Sequence, residues 1–275
     1  LRFAVGSVPD APDLAPALRF GWERLRFFDP SSGTTAVWLV VAARGADLVG
    51  QTDADGTSLY RLDLQVAVRA GNSVVRDSIR SIHRLRSRLG DEDALISRIA
   101  VSIGAEEHPF TLVAVDGNSE SRRVGNWARG VAVGFAPTDL PDVSDIAVAS
   151  DSGGAWTRDG LTHLAVSPAH LTGSDGRVHV YFEVYGIDAG TPYTVEVRVV
   201  PEEISARMWD MEAGQAAFQL SFDSEMPDSA GIGSHHLRLD LSDTPAGAYV
   251  LAVRIVDGST GRRSLPATTP VIRPD

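Results

Sequence analysis

The sequence predicts an all-β protein made of two tandem immunoglobulin-like antiparallel β-sandwich domains. Three observations carry that expectation. Residues 177–200 alternate apolar and polar positions on both sides of a Gly-Ile-Asp-Ala-Gly-Thr-Pro break. Val178, Val180, Phe182 and Val184 form one face of the first run, and Tyr193, Val195, Val197 and Val199 one face of the second. Period-two alternation around a turn reads as two antiparallel strands with one wet face. The second observation is an internal repeat. A-Y-V-L-A-V-R-I-V-D-G-S-T-G-R-R near the end echoes H-P-F-T-L-V-A-V-D-G-N-S-E-S-R-R, and Asp116 and Asp257 stand about 140 residues apart, the size of one sandwich domain. The third is length: 275 residues suffice for two domains that each bury a core.

The elements follow in order. Residues 1–16 form a Pro-marked, extended lead-in. Residues 18–28 alternate imperfectly and read as a strand, with Trp22 and Phe28 as packing residues. Strands are expected over 36–44 and 59–69, the latter with Leu62, Leu64, Val66 and Val68 on one face. Ala70-Gly71-Asn72-Ser73 is a hairpin turn. Residues 74–89 fit a helical face through Ile79, Ile82, Leu85 and Leu89, and a strand through Arg84, Arg86 and Arg88. The preceding hairpin needs a partner, so the strand is preferred. Strands at 96–103, 110–115 and 131–135 close the first domain, 17–137, and a linker at 138–142 with Pro141 leads to the second, 143–275. There the strands are 145–149, 161–166, the central pair, 217–222, 236–241, 249–256 and 268–272, with a short helical piece within 204–220.

Composition narrows the chemistry. A net charge of −11 argues against phosphate or anionic-lipid binding. Cysteine is absent, which removes thiol nucleophiles, disulfides and thiolate metal sites. Lysine is absent too, so all 25 basic residues are arginine and Schiff-base chemistry is excluded. The longest apolar run, 36–43, is far short of the roughly 20 residues a membrane helix needs.

Val143-Ser144-Asp145-Ile146-Ala147-Val148-Ala149, Val180-Tyr181-Phe182-Glu183-Val184-Tyr185-Gly186 and Gly247-Ala248-Tyr249-Val250-Leu251 together resemble the β-rich C-terminal region of bacterial GWxTD-domain proteins. The resemblance covers residues 20–272. Gly21-Trp22-Glu23-Arg24 opens like the naming motif but lacks its Thr-Asp, so that motif is absent. The resemblance implies an exported, non-enzymatic envelope protein, with any signal or anchor outside this sequence, and carries over no catalytic residue.

Each chemical constellation has a plainer alternative. Ser150-Asp151-Ser152-Gly153-Gly154 looks like a serine-protease nucleophile box, but it opens with Ser, and His83 and His108 lack the matching context; a loop is the simpler reading. His235 and His236 are adjacent on a strand and point to opposite faces, so they do not share a metal, although His179 could share a face with one of them. Asp53, Asp55 and Gly56 begin like a calcium loop that stops too early, and read as an acidic turn. Trp38, Trp127, Trp156 and Trp209 are scattered as packing residues. Arg76, Arg80, Arg84, Arg86 and Arg88 concentrate positive charge in an acidic chain, either as a solvated strand face or as a docking patch for an acidic partner.

The resulting expectation is a non-catalytic structural or accessory protein on the periplasmic or extracellular face of the bacterial envelope. It binds a protein partner, or docks peripherally as a subunit of a membrane complex, through sheet edges, loops and the strand that carries those five arginines. It needs no cofactor, metal or nucleic acid. The alternatives are a carbohydrate-binding module using the same-face pair Tyr181 and Tyr185, and a hydrolase on a sandwich scaffold using Ser152.

Overall fold

The structure is a computed structural model. It describes residues 15–16, 18–91, 93–119, 124–136, 140–150, 158, 164–166, 168–210, 216–228 and 231–275. The lead-in before Ala15, the Asp151–Trp156 stretch with Ser152, residues 138–139 of the linker and residues 161–163 of the expected strand at 161–166 lie outside the described residues.

The protein is all-β, with a sandwich-like arrangement of antiparallel sheets. It divides into two compact units: Leu1–Arg24 with Thr34–Phe135, and Leu25–Gly33 with Ala136–Asp275. The contiguous division expected from sequence differs in one respect, since residues 25–33 group with the second unit.

The strands met first are β1 (Ala15–Pro16), β2 (Phe20–Asp29), β3 (Thr34–Arg44), β4 (Gln51–Thr52), β5 (Ser58–Ala70), β6 (Ser73–Leu85), β7 (Ala94–Ile103), β8 (Glu107–Asp116) and β9 (Val124–Val133). Strand β2 contributes Phe20–Arg24 to the first unit and Leu25–Asp29 to the second. One sheet runs β1-β9-β8-β5-β4 with β6 on the other side of β5, and a second runs β2-β3-β7. Alternation explains the packing. Leu62, Leu64, Val66 and Val68 of β5 join Phe110, Leu112 and Ala114 of β8 and meet Val37, Leu39, Val41, Ile99, Val101 and Ile103 from the other sheet. Each of these Val, Leu, Ile and Phe side chains contributes roughly 1.5–3 kcal/mol on burial. The expected Ala70–Ser73 hairpin forms, with Gly71 at φ 59°, the positive value that a two-residue hairpin turn requires at its first central position. Residues 73–85 are a strand, and the helical alternative is not adopted; Arg86 and Arg88 fall in the loop beyond it.

The second unit contains β10 (Asp142–Val143), β11 (Ala147–Ala149), β12 (Arg177–Tyr185), β13 (Pro192–Pro201), β14 (Phe218–Glu225), β15 (Gly233–Asp240), β16 (Gly247–Asp257) and β17 (Ala267–Arg273). The short helical piece is a 3-10 turn at Glu202–Arg207. The sheets are β10-β12-β11 with β15 beside β12, and β14-β13-β16-β17. The central pair of strands is therefore not a hairpin. β12 and β13 belong to different sheets, and their apolar faces meet across the core with Leu251, Val253 and Ile255 of β16. Alternation fixes which face is buried, not which strand lies alongside. The polar face of β12 is not wet either, because Tyr181, Glu183 and Tyr185 are all buried.

The two ends of the internal repeat adopt one local structure. Strands β8 and β16 each end on an aspartate whose carboxylate accepts from the backbone two residues on, Asn118 N to Asp116 at 3.0 Å and Ser259 N to Asp257 at 2.8 Å.

Leu64 is fully buried whereas Val75, on the adjoining strand, is 46% exposed. Leu64→Ala should cost about 2–5 kcal/mol in urea unfolding, and Val75→Ala less than about 0.5 kcal/mol. Similar losses at both positions would contradict this placement of the core edge.

Candidate functional site

The β5–β6 hairpin pairs in unbroken register from Ser58↔Leu85 to Ala70↔Ser73. Arg76, Arg80 and Arg84 lie opposite Ala67, Asp63 and Leu59, so the three arginines share the face turned away from the core. Val75 and Ile79 lie opposite Val68 and Leu64, on the core-facing side. Their partners are buried, yet Val75 and Ile79 are 46% and 42% exposed, and Ile82 on the outer face is 62% exposed. The core thus stops at β5, and most of β6 overhangs it. Among the described residues β6 is hydrogen-bonded in a ladder with β5 alone, and near its end Ser81 meets Ser97 of β7. An edge strand with solvent on both faces offers unpaired backbone groups for recognition.

The ion pair of Arg80 on this strand is long. Asp63 is held by Arg61 at 2.6 Å, while Arg80 approaches it at 3.7 Å with its own side chain 60% exposed. Such an exposed pair contributes about 0–1 kcal/mol. Arg88 reaches Thr52 Oγ1 at 3.5 Å. Arg76, Arg80 and Arg84 are thus brought together on one strand face, with Arg86 and Arg88 following in the loop.

A second constellation escaped the sequence reading. Glu183, on the covered polar face of β12, accepts hydrogen bonds on both carboxylate oxygens. Oε1 takes the Tyr181 hydroxyl at 2.9 Å and Arg158 Nε at 3.0 Å, and Oε2 takes the Tyr185 hydroxyl. Burial first, and then the Glu183 carboxylate, push the Tyr185 hydroxyl well above its ordinary pKa, so it stays a donor. The same hydroxyl accepts from Phe28 N at 2.9 Å, and Arg158 donates to Phe28 O at 3.2 Å. Arg26 completes the array with a bidentate pair to Asp145, Nε at 2.9 Å and Nη2 at 2.7 Å. Glu183 serves as an anchor rather than a reactive group, because both of its oxygens are already engaged. The available signal was Tyr-x-Glu-x-Tyr on one strand face. The alternative of a sugar-binding face on Tyr181 and Tyr185 is not supported, because both are buried beneath Phe27 and Phe28, at 6.0 and 5.8 Å between ring centroids.

The histidines separate by face as expected. His235 turns inward against Phe182, Tyr193 and Phe222, and its Nε2 lies 2.8 Å from the Tyr193 hydroxyl. His236 turns outward to His179, with 3.1 Å between His179 Nδ1 and His236 Nε2. Asp53 and Asp55 form a turn, their carboxylates accepting from Ala54 N at 2.8 Å and Thr57 N at 2.9 Å. Three tryptophans pack as expected: Trp22 meets Phe110 edge-on at 5.4 Å, Arg98 covers Trp38 at 4.4 Å, and Arg198 and Arg254 flank Trp209 at 5.1 and 4.0 Å, whereas Trp127 is exposed and Trp156 lies outside the described residues. An open groove of about 440 Å³ lies by Arg19, Arg44 and Asp93. Its arginines are engaged, Arg19 by Asp47 at 2.9 Å and Arg44 by Asp91 O at 3.0 Å.

No protein-family model matches the chain, and no curated protein matches it. Among solved structures, a red sea bream transglutaminase aligns at 9% identity and a TM-score of 0.25, over 95% of this chain and 32% of that one. The chain thus spans about a third of that protein, and at this level the likeness transfers neither fold nor activity. Among the described residues no helix is long and apolar enough to cross a membrane.

Glu183→Gln keeps the shape but breaks the pairing with Arg158, and should cost about 3–5 kcal/mol in urea unfolding. Tyr185→Phe should cost about 1–3 kcal/mol and speed hydrogen exchange at the Phe28 amide. Unchanged stability in both variants would refute the anchoring role. His235 gives a pH signature. Burial pulls its imidazole down to about 4 from 6.5. As pH falls, the unfolded chain takes up this proton near 6.5 and the folded chain only near 4. The stability from the neutral ring is therefore complete above pH 6.5 and is lost between 6.5 and 4, by on the order of 3 kcal/mol. His235→Gln should flatten unfolding free energies across that window.

Proposed function

We propose that this is a non-catalytic accessory protein that docks an acidic protein partner on the β6 edge. The observation that carries the reading is the combination on one strand: three arginines on a single face, exposed Val75, Ile79 and Ile82, and an edge with no further ladder neighbour among the described residues. Between residues 73 and 89 there are five arginines against one acid, Asp77, in a chain of net charge −11. Arginine suits such a surface because its planar fork pairs carboxylates in two bonds and its stem packs on apolar groups. A partner segment added to the free edge gains backbone hydrogen bonds, while its side chains meet the arginines and the exposed aliphatics. The same charges keep copies of the chain from adding to one another.

The resemblance to the sandwich region of GWxTD-domain proteins supports placing this role at the bacterial envelope, with the partner a component of a membrane complex or of the envelope itself.

The test is purification of the native protein from its own cells in mild detergent, with and without Arg76→Gln, Arg80→Gln and Arg84→Gln combined. A stoichiometric partner that dissociates as salt is raised should be retained by the parent and weakened by at least an order of magnitude in the triple variant. An Arg177→Gln control, on an arginine already paired with Asp175 and Asp240, should retain it fully. A partner held equally by the triple variant, or a partner-free monomer, would overturn the reading.

A further inference from the structure

His179 and His236 carry a feature that the β6 edge does not use. They stand on adjacent antiparallel strands, where Tyr181 is opposite His236 and His179 is opposite Arg238. The two histidines are therefore diagonal neighbours on one face of the sheet. Their planes lie 28° apart with centroids 5.3 Å apart, and the facing nitrogens, His179 Nδ1 and His236 Nε2, are separated by 3.1 Å. The rings thus meet nitrogen to nitrogen rather than face to face. His235, next in the chain, is held on the opposite side by Tyr193 and takes no part.

The geometry points to a two-histidine binding site for a first-row divalent transition metal, of the Zn²⁺, Ni²⁺ or Cu²⁺ class. Imidazole nitrogens bind such ions at about 2.0–2.1 Å, so an ion shared by nitrogens 3.1 Å apart sees them at roughly 100°. That angle falls between cis-octahedral and tetrahedral values, and each ring must pivot by roughly 40° to turn its lone pair onto an ion lying off the line that joins the nitrogens. Without the ion, one ring donates its N–H to the other. Binding the ion shifts that ring's proton to its second nitrogen, so both facing nitrogens become donors to the metal and no net proton is released. Nitrogen donors select these metals over Mg²⁺ and Ca²⁺, which prefer oxygen. The ligands project from paired strands, whose backbone hydrogen bonds fix their spacing more tightly than loops would. Among the described residues no group of three or more His, Cys, Asp or Glu could hold a metal. Solvent therefore completes the coordination on the exposed side of His236, as in an exchangeable site rather than a closed structural one.

The test is titration of the chelator-stripped, tag-free full chain with Ni²⁺ and with Zn²⁺, by calorimetry and by ¹H–¹⁵N spectra of the histidine rings. One equivalent should bind at micromolar concentrations, shifting the ring nitrogens of His179 and His236 together and leaving those of His235 in place. His179→Gln and His236→Gln should each weaken binding by at least tenfold. Saturable binding that survives both substitutions combined, or no saturable binding below millimolar metal, would overturn the assignment. The spectra of the parent chain decide the matter even if a variant folds poorly, since a shift confined to other histidines contradicts it.

Discussion

A carboxylate placed inside a β-sheet protein needs hydrogen-bond donors on every side, and that demand at Glu183 organises the second unit. From Val180 to Tyr185, strand β12 is buried on both faces. Its even positions enter the apolar core, and its odd positions present two tyrosines and the glutamate between them. Its donors come from the chain itself: the Arg158 guanidinium and the Tyr181 hydroxyl on one oxygen, and the Tyr185 hydroxyl on the other. Leaving any of them unmatched would cost more than the contact contributes. The backbone is matched as well, Ser144 and Glu183 exchanging bonds at 2.9 Å in both directions. Residues 26–28 are recruited by the same rule. Their backbone is bonded by Asp145, Tyr185 and Arg158, which is why 25–33 group with a unit that begins more than a hundred residues later.

The β6 strand is built on the opposite principle. Its core-facing side chains run out past the packed interior, and its outer face carries charge. Exposed aliphatics on a strand with no second ladder neighbour among the described residues would invite self-association, and arginines every fourth residue on the outer face counter it. Charge that repels copies of the chain attracts a carboxylate-rich surface, so aggregation control and recognition come from the same residues.

The repeated Asp-Gly turns show how little local sequence says about electrostatics. Asp116 and Asp257 occupy equivalent ends of β8 and β16 and make the same bond to the backbone two residues on. Burial dominates at Asp116 and raises its pKa, whereas Thr260 and Ser259 hydroxyls pull Asp257 down to about 2. The turn is encoded locally; the proton affinity is set by what packs over it.

The sequence by itself determined the all-β class, most of the longer strands, the Gly71 hairpin and the opposite facing of His235 and His236. These follow from a two-residue period and from turn chemistry, both local properties of the chain. It also placed Arg76, Arg80 and Arg84 on one strand face, because i, i+4 and i+8 share a side of any strand. The tertiary structure alone decided that β12 and β13 lie in different sheets, since a six-residue connection can close a hairpin or turn a corner between sheets. It decided that Tyr181 and Tyr185 face a buried glutamate rather than solvent, because alternation marks one face as apolar and leaves open what covers the other. It brought His179 to His236 through a register between strands some fifty residues apart, a long-range pairing that no local pattern specifies.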